Sequence, residues 1–138
     1  FEHHIHNPRN PIFRGFDDVF YVPHSRHTEV RAEDIQKVPE LTILSESPES
    51  GVYMVMGRNG REFFVTGHSE YSPMTLDSEY KRDLAKGLPI NMPQNYYPEN
   101  NPKFGPQVRW RSHANLMITN WLNYFVYQET PYDLDKIE

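Results

Sequence analysis

"GVYMVMGRNGREFFVTG", residues 51–67, decides the reading of the fold. Two runs of β-type apolar residues flank Asn59-Gly60, a pair suited to the positive φ angles of a tight hairpin turn. A β-hairpin is therefore expected over 51–66. The chain continues as "GHSEY" (67–71). Gly67 releases the backbone as the second strand ends, and His68 and Glu70 follow two residues apart. A histidine at a strand end with a carboxylate nearby matches the base and the orienting group of a catalytic triad. The third member is missing, because the 138 residues contain no cysteine. A Cys nucleophile, a disulfide and a thiolate metal site are all excluded within this chain.

Working outward, "SPMTLDSEYKRDLAKGL" (72–88) predicts a helix over 73–86. Ser72 is placed to cap it, Pro73 suits the first turn and Gly87 the exit. Leu76, Tyr80 and Leu84 fall four apart and are expected to form one buried stripe. Residues 88–108 are rich in proline and asparagine and predict a long ordered loop of the functional kind. The last helix is expected over 109–128, with Ala114, Met117, Trp121 and Phe125 on its buried side. Upstream of the hairpin, "LTILSES" (41–47) alternates like a strand, and Pro39 ends a short helix in 31–40. An apolar run at 19–26 reads as a strand that breaks at Pro23, "IFRGFDD" as a helical turn, and "FEHHIH" as a strand from its first residue. No repeat and no interior linker divides the chain, so one compact unit is expected. Strands mixed with helices give an α/β sheet with an antiparallel annex. His68, just past a strand end, stands where open α/β sheets carry their sites.

Composition narrows the function classes. A formal net charge of −5 lacks the basic footprint that nucleic-acid binding needs. No apolar run approaches the roughly 18–20 residues that span a bilayer. A soluble, cytoplasmic protein is the expectation. The chain opens inside a strand, which predicts that it is part of a longer polypeptide. "EHHIH" puts His4 and His6 on one strand face, but a zinc site needs a third or fourth ligand and none has suggestive spacing. No metal is expected.

The motifs "RGFDD" (14–18), "PHSRHTE" (23–29), "VTGHSEY" (65–71), "NYYPENNP" (95–102), "WRSHANL" (110–116) and "NWLNYFVYQETPYDL" (120–134) carry a family resemblance. In order and over essentially the whole chain, they resemble homoserine O-acyltransferases of the class I glutamine amidotransferase-like type. Those proteins transfer acetyl or succinyl groups at the first committed step of methionine biosynthesis. The resemblance implies a flavodoxin-like three-layer sandwich of which residues 1–138 form the C-terminal half. It also implies that the nucleophilic Cys lies upstream, in the N-terminal half of the same polypeptide, and that this half alone is inactive.

The resemblance assigns roles residue by residue. His68 matches the general base and Glu70 the residue that orients it. Ser25, in "PHSR", matches a substrate-site position, and Arg82, in "YKRDL", a substrate contact. A guanidinium fork suits the α-carboxylate of homoserine. Arg26 reads as an ion pair shaping its loop. Arg109 and Arg111 are expected to pair with acids, with Trp110 in the core between them. The partners implied are L-homoserine and acyl-CoA, with acetyl-CoA favoured over succinyl-CoA by "HSRHTEVR", and a homodimer is compatible with the family. No cofactor beyond the acyl-CoA co-substrate is implied. Two other readings stand beside this one: a glutamine amidotransferase or cysteine-peptidase-like domain with the same His–Glu pair, and a non-catalytic binding domain.

Overall fold

The computed structural model describes residues 1–131 and 133–136. Tyr132, inside the last of the motifs quoted above, lies outside the described residues. Five strands, β1 (Glu2–Ile5), β2 (Val19–Tyr21), β3 (Leu41–Ser47), β4 (Gly51–Gly57) and β5 (Glu62–Val65), form one sheet in the order β2-β1-β3-β4-β5. Helices α1 (Ala32–Ile35), α2 (Thr75–Ala85) and α3 (Arg111–Asn120) complete an α/β fold. Every pairing among the described strands is antiparallel. The antiparallel part is thus the whole sheet here rather than an annex to a parallel one.

The hairpin forms as the sequence predicts. Met54 faces Val65, Val55 faces Phe64 and Met56 faces Phe63. Asn59 and Gly60 take positive φ (54° and 94°), and Arg58 joins them at 48°. Gly60 is needed twice over, since a Cβ there would lie 2.9 Å from the Phe125 ring.

Strand β4 is buried from both sides. Tyr53 and Met54 belong to a cluster with Ile12, Phe13, Phe20, Val22 and Leu44, covered by Met117 and Phe125. Val52 and Val55 belong to a second cluster with Ile35 of α1. A third cluster, Tyr96, Tyr97 and Trp110 with Leu76, ties the 88–108 loop to α2, and short 3-10 turns at Pro98–Asn100 and Pro102–Phe104 order that loop.

Two predicted stripes are corrected. On α2, Leu84 is 48% exposed, and the buried residue is Asp77. Its carboxylate accepts from Lys81 Nζ at 2.8 Å and from the Tyr97 hydroxyl at 2.8 Å, so the helix docks through satisfied polar contacts instead of an apolar seam. The same helix begins at Thr75, and the Ser72 hydroxyl meets the Thr75 side chain at 2.8 Å rather than capping a backbone N–H. Gly87, at φ 70°, does end it as predicted.

On α3, Met117 and Phe125 reach the core but Trp121 is 39% exposed. The chain winds as a π-helix over Trp121–Tyr127, and a repeat of 3.6 no longer aligns positions 121 and 125 with 114 and 117. Buried Asn120 anchors this junction by donating to the carbonyls of Ile12 (3.0 Å) and Arg14 (2.8 Å). No helix among the described residues is long and apolar enough to cross a membrane.

Candidate active site

Strand β5 delivers the chain to the site, and backbone bonds then hold it there. Thr66 N–H donates to the Tyr53 carbonyl (2.9 Å), and its hydroxyl to the Val52 carbonyl (2.6 Å). Gly67 lies flat against the core. A Cβ there would stand 2.6 Å from Val22 Cγ1, 3.0 Å from His24 Nε2 and 3.1 Å from the Tyr53 ring. The next N–H, of His68, donates to the Pro23 carbonyl at 2.8 Å. Strand end, glycine and His68 are thereby fixed against the segment that carries Ser25.

His68 and Glu70 meet as the sequence predicts. Nδ1 of His68 lies 2.8 Å from Oε1 of Glu70. With the carboxylate accepting, the proton sits on Nδ1 and the lone pair on Nε2. No hydrogen bond among the described residues engages that Nε2. The imidazole stacks on the Tyr71 ring at a centroid distance of 4.4 Å, with the planes 16° apart. Both residues line a cleft of about 730 Å³ whose walls include Trp110, Ala114, Met117 and Ile118. Trp110 is buried as predicted, and its indole N–H donates to the Tyr71 carbonyl at 3.0 Å.

Ser25 does not line that cleft but is tied to its wall at Tyr71, through a contact that sequence reasoning missed. Its hydroxyl donates to Oε2 of Glu79 (2.9 Å), while the Tyr71 hydroxyl donates to Oε1 (2.9 Å). Ser25, Glu79, Tyr71 and His68 thus form one connected path. Burial, and then the Glu79 carboxylate, push the Tyr71 phenol up from its ordinary value. Arg82 lies one turn beyond Glu79 on α2. Its exposed guanidinium forks onto the neighbouring Asp83, with bonds of 2.7 and 2.9 Å, and points at no cleft residue. That pairing raises the guanidinium and lowers the Asp83 carboxyl from their usual values.

Beneath Gly67 lies a pair of stacked histidines. His3 and His24 have centroids 5.0 Å apart, and their Nε2 atoms are 2.9 Å apart. Burial above all pushes both down to about 3, helped at His3 by its neighbour His24 and at His24 by Arg26, so both are neutral. Arg26 donates to the Ser50 carbonyl rather than to an acid. Arg109 bonds the Gln107 side chain at 2.6 Å and stands over the Tyr21 ring, again without an acid. His4 pairs with Glu2 (3.3 Å) and His6 with Glu46 (2.9 Å). Among the described residues no group of three or more His, Asp or Glu converges on a metal position.

Comparison with known proteins gives this geometry a family. Over all 138 residues the chain is 72% identical to a protein of Bacteroides thetaiotaomicron named homoserine O-acetyltransferase. It is 72% identical over 137 residues to one of that name from Bacteroides fragilis, and 64% identical over 137 residues to one from Desulfitobacterium hafniense. The chain spans about 45% of the length of each of these relatives. A family profile described as homoserine O-succinyltransferase matches residues 1–132. A strand end that presents a paired histidine and glutamate to an open cleft is therefore no isolated resemblance: the chain belongs to the homoserine O-succinyltransferase family.

Proposed function

We propose that the chain supplies the base half of an acyltransferase that moves an acetyl group from acetyl-CoA to the side-chain hydroxyl of L-homoserine. The observation that carries this is the Nδ1–Glu70 bond, which leaves Nε2 of His68 as a proton acceptor over a cleft. A hydroxyl is a poor nucleophile near neutral pH, and an oriented imidazole is the usual remedy.

The nucleophile is a cysteine outside these 138 residues, which contain none. His68 Nε2 takes the thiol proton, and the thiolate attacks the acyl carbonyl. CoA leaves as the thiol, with that proton, and an acyl thioester remains. Homoserine's hydroxyl then gives its proton to Nε2 and attacks the thioester, and the enzyme thiol is regenerated with that proton. Glu70 orients the ring and stabilises the imidazolium in both halves without itself accepting the proton. The domain in this reading is a class I glutamine amidotransferase-like three-layer sandwich, with residues 1–138 as its C-terminal part. The reaction opens methionine biosynthesis in the cytoplasm.

The acceptor is read at the far end of the connected path. Glu79, held by Ser25 and Tyr71, offers a carboxylate to the α-ammonium. Arg82, three residues on, exchanges Asp83 for the α-carboxylate when substrate arrives. Acetyl rather than succinyl is supported by the names of the relatives at 64–72% identity, although the family's own description names succinyl.

The test uses the full-length protein. His68→Ala is expected to remove both half-reactions, general-base catalysis being worth about 10²–10⁴-fold, and Glu70→Ala to cost less. Arg82→Ala is expected to raise the homoserine KM about tenfold while acylation by acetyl-CoA, followed by intact mass, is unchanged. Wild-type turnover by His68→Ala refutes the assignment. Faster acylation by succinyl-CoA than by acetyl-CoA refutes the choice of donor.

A further inference from the structure

Between His68 and Glu70 stands Ser69, and it points the other way. It is buried, with its hydroxyl 2.8 Å from the hydroxyl of Tyr53. Tyr53 lies in the middle of β4 and is 1% exposed. Its ring is held on three sides by aromatic neighbours, with centroids at 4.9 Å to His3, 5.6 Å to Phe20 and 6.2 Å to His24. Its hydroxyl also reaches Met117 Sδ of α3 at 3.3 Å. The hydroxyl is thus aimed from the core at the underside of the turn.

The turn's other anchors lie at its two ends. The backbone is fixed at His68 by the Pro23 carbonyl, and at Tyr71 by a bond back to the His68 carbonyl (3.1 Å) and by the Trp110 indole N–H, which donates to the Tyr71 carbonyl (3.0 Å). Between those points Ser69 makes the one side-chain bond to the core among the described residues. The His68–Glu70 bond spans two residues, so its geometry depends on the backbone that Ser69 sits in.

We propose that Tyr53 is a positioning residue: through Ser69 its buried hydroxyl locks the 68–71 turn so that the Glu70 carboxylate meets His68 Nδ1. The proposal rests on the reading of His68 as the base. It goes beyond the His–Glu pair by naming what fixes the pair from below. Burial pushes the Tyr53 phenol up to about 12, so it stays protonated near neutral pH. Misplacing a catalytic group by about 1 Å can cost on the order of 10²-fold, and loss of one anchor out of several is expected to cost about tenfold.

The experiment compares Tyr53→Phe, Ser69→Ala and the double variant in the full-length protein. Each half-reaction is followed separately, together with the His68 imidazole N–H resonance in proton NMR spectra. Each single variant is expected to slow both half-reactions by about the same tenfold factor, with the homoserine KM within twofold of wild type. The double variant is expected to be no slower than the worse single one, because the two hydroxyls act as one unit. The N–H resonance is expected to broaden or vanish through exchange with water. If Tyr53→Phe does not fold, Ser69→Ala, which removes a single atom, carries the test. Wild-type rates in Ser69→Ala overturn the proposal. So does a loss confined to one half-reaction or to KM, or an unchanged N–H resonance. If His68→Ala keeps wild-type turnover, the reading of the base falls instead, and the resonance still judges the anchor.

Discussion

Gly67→Ala tests how closely the site depends on the packing beneath it. The added Cβ would lie 2.6 Å from Val22 Cγ1, about 0.8 Å short of the 3.4 Å at which ordinary contact begins. It would also press on His24 Nε2 at 3.0 Å and on the Tyr53 ring at 3.1 Å. Val22 and Tyr53 are 3% and 1% exposed, so neither can yield into solvent. The relief must come from the 66–68 backbone, which would lift by most of that 0.8 Å and carry His68 with it. Overpacking of this kind costs about 1–3 kcal/mol of stability. A displacement near 1 Å costs a catalytic group on the order of 10–100-fold in rate. Urea unfolding and the proposed acetyl transfer, measured on the full-length protein, should show both losses together. Adding Val22→Ala removes the closest clash and is expected to return part of the activity even though it enlarges a cavity. Gly67→Ala with wild-type stability and turnover would refute the claim that the glycine is there for close approach. No recovery in the double variant would place the strain on His24 and Tyr53 instead.

Other parts of the fold give independent expectations. His3 and His24 are held near 3 in the folded protein, against an ordinary 6.5, so the unfolded chain takes up protons first and stability falls as pH drops below 6.5. For His3 alone the loss by pH 5 is about 2 kcal/mol, and His24, held near the same value, adds a comparable share. Unfolding midpoints that are the same at pH 7 and pH 5 would contradict this, and His3→Gln should shrink the difference. Asn120→Ala leaves the Ile12 and Arg14 carbonyls without their donor and is expected to cost about 1–3 kcal/mol, read by thermal unfolding; a change under 0.5 kcal/mol would argue against the anchor. Gly60→Ala meets both a positive φ and the Phe125 ring, and should lower stability by about 1–3 kcal/mol in the same assay, whereas a neutral result would mean the π-helical segment gives way easily.

What was legible in the sequence was local. Asn59-Gly60 between two apolar runs sufficed for the hairpin, because turn chemistry is decided by adjacent residues. His68 and Glu70 were legible for the same reason, being two residues apart. Ser25 was picked out only through the family resemblance, and its partner Glu79, 54 residues away along the chain, was not foreseen because nothing local announces the contact. The failed stripes share one cause. Periodicity assumes that helices bury apolar residues at a constant pitch. Asp77 and Asn120 were instead buried by partners from distant segments, and the pitch changed at Trp121. Arg82 was assigned to the substrate by resemblance alone, and nothing in the spacing announced its pairing with Asp83.

The bonds that close the core have a consequence for the order in which the protein can be built. Met117 meets Tyr53 across 64 residues of chain, and Asn120 meets Ile12 across 108. At roughly 5–20 residues per second of synthesis, Ile12 waits about 5–20 s for Asn120 to emerge. During that interval the inner face of the sheet, with Phe13, Phe20 and Tyr53, has no lid from the same segment. An apolar face left open in this way is prone to pair with neighbouring chains. A slow codon placed before α3 would lengthen that exposure, and holdase chaperones would have their longest opportunity there.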